Sequence, residues 1–93
     1  MIIEINRTLD FSHETFIRAV EDCLCSTHFE DITRGDAIWY SVNQVIIDMK
    51  LPPTEPSSYI DLLSEEDKEK IVEDFMIHCG QVFTARLRER CAK

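Results

Sequence analysis

Glycine is nearly missing from this chain: two in 93 residues, with only three prolines beside them. Two glycines cannot build the loop whose backbone N–H groups cradle a phosphate, so nucleotide-binding loops are excluded. So little Gly and Pro, with 44% hydrophobic content, also excludes a disordered or low-complexity chain. Positive charge is scarce. Ten Lys and Arg stand against eighteen Asp and Glu, a net charge of −8. Such a chain repels nucleic acid unless it carries a strongly local basic patch. Nothing approaches the ~18 consecutive apolar residues of a membrane helix. The opening Met1-Ile2-Ile3-Glu4-Ile5 has neither a basic region nor a long apolar core, so it does not read as a secretory signal.

Disulfides are not expected either. The four cysteines are Cys23, Cys25, Cys79 and Cys91. All lie in segments with helical patterning and no secretory context, so they read as free thiols in a reduced, cytoplasmic protein. Cys23 and Cys79 fall on apolar faces, where cysteine behaves as a small hydrophobe.

The chain is long enough for one domain, residues 1–93, with one modest core and no separate catalytic lobe. Its strongest pattern runs from Ser64 to Cys91. Ser64-Glu65-Glu66-Asp67 has the form of a capping box, a hydroxyl followed three residues later by a carboxylate. Ile71, Val72, Phe75, Met76, Cys79, Val82, Phe83 and Leu87 then recur at spacings of three and four and make one apolar face. Arg86 and Arg90 enter that stripe, so the core-facing section is expected to stop near Leu87. Unbroken, this helix would extend about 40 Å at 1.5 Å per residue. It must bend at Gly80, leave an unsupported tail, or run along a second subunit.

Two further amphipathic helices precede it. The first starts near Ser12, with Asp10 or Ser12 as cap and Phe11 as staple, and ends near Ser26. It buries Phe16, Ile17, Ala19, Val20, Cys23 and Leu24. The second opens at Asp36 and presents Ile38, Val42, Val45, Ile46 and Met49, with Trp39 at the edge. Leu51 before Pro52-Pro53 marks its stop. A rival strand reading of Val45 to Leu51 is set aside because the helical fit at 38, 42, 45 and 49 is better. Residues 1–9 form an N-terminal arm in which 1–6 could be a short strand. Residues 52–58 are a Pro/Ser linker inside the domain, leading to a short helical turn, Tyr59 to Leu63, capped by Ser57 or Ser58. The expected fold is therefore all-α: a small bundle of three main helices plus a short turn, ending in a long helix.

Chemistry is harder to find. Cys23, Cys25 and His28, with His78 and Cys79, are good zinc donors by type. Residues two apart on a helix diverge by about 200°, however, so Cys23 and Cys25 do not readily share an ion. Cys79 and His78 are sequence neighbours that also diverge, and so make no nucleophilic dyad. Glu65-Glu66-Asp67 is accounted for by capping and the helix dipole. His13 and His28 read as surface residues. Arg34-Gly35-Asp36 reads as a turn and a cap. A helix-turn-helix reading fails on charge, because the segment from Asp36 to Lys50 carries Lys50 as its single base. No catalytic residue, metal ligand or cofactor is assigned.

What remains is surface. Residues 1–36 hold eight acids against three arginines, and residues 61–74 hold seven acids against two lysines. The last eight residues reverse sign, with Arg86, Arg88, Arg90 and Lys93 against Glu89. An acidic face built from Glu14, Glu21, Asp22, Glu30, Asp31, Glu66, Glu69, Glu73 and Asp74 suits a basic protein partner by complementary fields. In style, though in no specific motif, such a compact acidic helical chain resembles phage-encoded inhibitors of host nucleases or transcription machinery. That resemblance implies a non-enzymatic protein that imitates nucleic acid and modulates a nucleic-acid-handling partner, without contacting nucleic acid or membrane itself. Two alternatives stand beside it. One is a homodimeric regulatory or structural module joined through the final helix or the apolar residues Tyr40, Ile47 and Ile77. The other is a metal- or thiol-dependent protein using the Cys/His set.

Overall fold

The computed structural model describes residues 1–52 and 55–91, with side chains described through Arg88. Pro53 and Thr54 of the expected linker lie outside the described residues, as do Lys93 and the side chains of Glu89, Arg90 and Cys91. Among the described residues the structure is 71% helical, with four α-helices and a two-stranded sheet at its start. The elements are β1 (Ile2–Glu4), β2 (Thr8–Asp10), α1 (His13–Ser26), a 3-10 turn (Phe29–Asp31), α2 (Arg34–Asp48), α3 (Pro56–Ile60) and α4 (Glu65–Cys91).

The first strand finds its partner within the chain. β1 pairs antiparallel with β2, and Ile3 opposite Leu9 puts both side chains into the core. The pairing extends one step further, because the Phe11 N–H donates to the Met1 carbonyl and the Met1 amine donates to the Phe11 carbonyl, each at 2.8 Å. The expected arm is thus a short hairpin that covers the bundle.

α1 begins where its sequence places it. The Thr15 N–H donates to Ser12 Oγ at 3.1 Å, and Phe11 closes on Phe16 with ring centroids 5.7 Å apart, the staple geometry. Phe16, Ala19, Val20 and Cys23 are buried, while Ile17 and Leu24 are half-buried.

α2 starts two residues earlier than expected. Thr33 is its cap and Asp36 is the third helical residue, whose carboxylate reaches back to the Thr33 N–H at 3.1 Å. Asp36 is therefore the second half of a capping box. The helix also stops before the prolines. Lys50 turns left-handed at φ 53°, its N–H donates to the Ile47 carbonyl, and the Leu51 N–H donates to the Ile46 carbonyl. These paired bonds satisfy the last carbonyls, so the stop is a Schellman turn with lysine where glycine is usual. Val45 to Asp48 is helical.

α2 is the central helix and packs against α1, α3 and α4. Ile38, Val42, Val45 and Ile46 are buried as expected, and Met49 is 37% exposed. The second buried ridge is Ala37, Ser41 and Gln44. Tyr40 and Ile47 lie off it.

α3 comes three residues before the expected turn, because Pro56 occupies a first-turn position, where its fixed φ helps and its missing N–H costs nothing. Tyr59 and Leu63 still close the end of the core.

α4 is unbroken through Gly80, where an added Cβ would meet nothing within 4 Å. Ser64 Oγ accepts from the Asp67 N–H at 3.1 Å. Ile71, Phe75 and Cys79 are fully buried, each large side chain contributing about 2–3 kcal/mol of apolar transfer. Burial ends earlier than Leu87. Val82 is half-buried, whereas Phe83 and Leu87 are 43% and 45% exposed, because α1 finishes at Ser26 and the chain turns back. The helix therefore overhangs its body, and the molecule measures 48 × 24 × 22 Å. Among the described residues no helix is long and apolar enough to cross a membrane.

Candidate functional site

The connection between α1 and α2 is fastened to α4 at two points. Phe29 stacks on Phe83 of α4 with centroids 5.2 Å apart. Five residues later Arg34 grips the start of the same helix: its Nε donates to Glu69 at 2.9 Å, and its Nη2 reaches both Glu69 and Glu65, the latter at 3.4 Å. Glu30 and Asp31, both exposed, lie between these anchors in sequence, next to Phe29, whose contact Phe83 is about 21 Å along α4 from Glu69 at 1.5 Å per residue. Glu65 is pulled below the ordinary carboxylate range, first by Lys68 and then by Arg34. Glu66 pairs with Lys70 at 3.7 Å. Glu73 is exposed and has no cation within pairing distance among the described residues. Asp74 is half-buried, and its carbonyl accepts from His78.

The α1 acids are placed elsewhere. Glu14 pairs with Arg18 at 3.6 Å. Glu21 lines a surface groove with Ile17, Gln81, Val82, Ala85 and Arg86, beside the basic end of α4. Asp22 is exposed on the same helix. Of the nine candidate acids, Glu66, Glu69 and Glu73 share one face of α4 by their spacing, Glu14, Glu21 and Asp22 share one face of α1, Glu30 and Asp31 lie on the connection, and Asp74 is half-buried.

A second polar cluster was not apparent from the sequence. Asp48, at the end of α2, accepts from Thr15 Oγ1 at 2.8 Å, Arg18 Nη2 at 3.1 Å and Gln44 Nε2 at 2.9 Å. Burial alone would raise its pKa, but the three donors outweigh it and hold the carboxylate below its ordinary 3.8. The network joins α1 to α2. Its members are 30 and 33 residues apart, a separation at which spacing rules give no signal.

The Cys/His constellation is split. Cys23 and Cys79 are buried, and Cys25 and His28 are exposed around a shallow depression. Burial, then the neighbouring Cys23, pushes the Cys79 thiol up to about 11, so it stays protonated at neutral pH. Burial and then Asp36 raise Cys23 likewise. Among the described residues no group of three or more His, Cys, Asp or Glu comes together that could hold a metal ion. His78 meets a partner that spacing did not suggest: its Nε2 lies 2.9 Å from Nδ1 of His13.

The apolar candidates are dispersed. Tyr40 is half-buried, with its hydroxyl 3.0 Å from Ser26 Oγ and Trp39 edge-on at 5.1 Å. Ile47 and Ile77 are each 58% exposed on different helices. A more continuous apolar feature is a half-open cleft of about 250 Å³ between Leu24, Phe29, Phe83 and Leu87, with His28 and Arg86 at its rim. No family model, no curated protein and no solved structure matches this chain.

Proposed function

We propose that this chain is a small, non-enzymatic, cytoplasmic binding protein whose acidic flank engages a basic protein partner. The observation that carries the reading is the Arg34 clamp. It fastens the connection that carries Glu30 and Asp31 to the acidic start of α4, so acids distant in sequence are fixed relative to one another. A fixed array of carboxylates imitates the field of a nucleic-acid backbone better than a mobile tail does, because little ordering entropy is lost on binding. A nucleic-acid-handling partner fits that field, in the manner of compact acidic inhibitors.

The test uses the chain immobilised in lysate of its native host, at low and high salt, beside the triple variant Glu30→Lys, Asp31→Lys, Glu73→Lys. These three acids make no ion pair among the described residues, so reversing them spares the fold. A basic protein held at low salt, released at high salt and lost in the variant supports the reading. Equal capture by both proteins would show that the acids only solubilise.

A second reading draws on the overhang. Phe83 and Leu87 leave apolar surface open beside the Phe29 cleft, which suits a second copy of the chain. Mass in solution over a concentration series decides it, and a monomer throughout removes it.

A further inference from the structure

Helices α1 and α4 each bring one imidazole to the same point on the surface. His13, the first residue of α1, places Nδ1 2.9 Å from Nε2 of His78, with ring centroids 4.8 Å apart and planes tilted by 52°. His78 is held at its other nitrogen. Nδ1 lies 2.6 Å from the Asp74 carbonyl oxygen, which can only accept, so Nδ1 carries the proton and Nε2 presents its lone pair toward His13. Phe16 stacks on the same ring at 5.1 Å and fixes its plane. A histidine anchored through one nitrogen to a backbone carbonyl, with the other nitrogen free to coordinate, is the usual arrangement of a metal-ligating imidazole.

An ion held at the spacing of this inter-ring hydrogen bond would be bound at a narrow angle. With metal–nitrogen bonds of about 2.05 Å, two nitrogens 2.9 Å apart subtend roughly 90°. That is the angle between neighbouring positions of a square-planar or octahedral centre; a tetrahedral ion needs about 3.3 Å. We propose that His13 and His78 form a two-imidazole clamp for a late first-row divalent ion of tetragonal preference, Cu²⁺ or Ni²⁺, that ties α1 to α4. The hydrogen bond between the rings runs from His13 Nδ1–H to His78 Nε2. The ion takes its place when His13 carries its proton on Nε2 instead, a change of tautomer that leaves the ring neutral and releases no proton. Water completes the coordination.

Ni²⁺ is the probe, because Cu²⁺ oxidises thiols and Cys25 is exposed. Calorimetric titration of Ni²⁺ into the full chain, with thermal melts alongside, is expected to give one ion per chain and a Tm that rises with Ni²⁺. Affinity should fall at least about tenfold in His13→Gln and in His78→Gln, as even outer-shell changes act on that scale, and should persist in His28→Gln. His13 is exposed, so His13→Gln keeps its fold even where His78→Gln, which loses the Phe16 stack, does not. Unchanged affinity in His13→Gln, or a Ni²⁺ response lost in His28→Gln, overturns the clamp. The clamp is independent of the acidic flank, so failure of either leaves the other standing.

Discussion

Asp48, half-buried, and Ser41, buried, lie on the same face of α2, and opposite outcomes are expected from removing their polar groups. Asp48 gathers donors from Thr15, Arg18 and Gln44. Asp48→Ala removes an acceptor shared by three donors and leaves the Thr15 hydroxyl, 2% exposed, only Ser12 Oγ at 2.9 Å, a loss of about 1–2 kcal/mol at neutral pH in a denaturant titration. The folded chain holds this carboxyl below its ordinary 3.8. Its contribution is therefore complete above the unfolded pKa and disappears as pH falls through the lower, folded value. Repeating the titration near pH 3 should shrink the gap between the two proteins, and an undiminished gap would mean that charge is not what Asp48 supplies. Ser41 is 0% exposed, and its Oγ has no hydrogen-bond partner among the described residues. A buried hydroxyl with no partner retains its desolvation cost, so Ser41→Ala should be neutral or stabilising, by up to about 1 kcal/mol. A clear loss on that substitution would reveal a partner for the hydroxyl.

α4 is half supported and half free, and its dynamics should divide at the same place. Ile71, Phe75 and Cys79 are buried, whereas Phe83 and Leu87 are not. An isolated helix shorter than about 12–15 residues is marginal in water, so the overhang depends on the supported turns before it. Amide exchange should be slow from Ile71 to Cys79 and far faster beyond Val82. Protection beyond Val82 that grows with protein concentration would indicate a second copy along the overhang. The sequence made the start of α4 legible, and that of α1, because a cap and an apolar stripe act within one turn. It misled at α2, where Asp36 resembles a cap but serves Thr33 from three residues inside. β2 escaped notice because Thr8-Leu9-Asp10 offers a single apolar residue, and only pairing with β1 makes it a strand. The Arg34 clamp and the His13–His78 pair span 35 and 65 residues, so no local period announces them. Clusters of acids could be read from the chain, but the contacts of Phe29 and Arg34 that fasten the connection to α4 could not.

At the scale of the whole molecule, charge should act in opposite directions on folding and on binding. A net charge of −8 on 93 residues makes the compact state repel itself. The described ion pairs are exposed or partly exposed, and such pairs contribute roughly 0–1 kcal/mol each, so the acidic excess outweighs them. Salt shortens the range of both to about 8 Å at 0.15 M, which weakens the more numerous long-range repulsions more than the contact pairs. Raising NaCl from near zero to about 0.15 M should therefore raise Tm; a gain of order 1 kcal/mol corresponds to roughly 4–8 °C in a domain of this size. Binding through the acidic flank should weaken over the same range, because the field that steers a basic partner is screened. Thermal melts and affinities measured on one salt series separate the two effects. A complex that tightens as salt rises would instead place the contact on the apolar overhang, where exclusion of water from Phe83 and Leu87 drives association and carboxylates take no part.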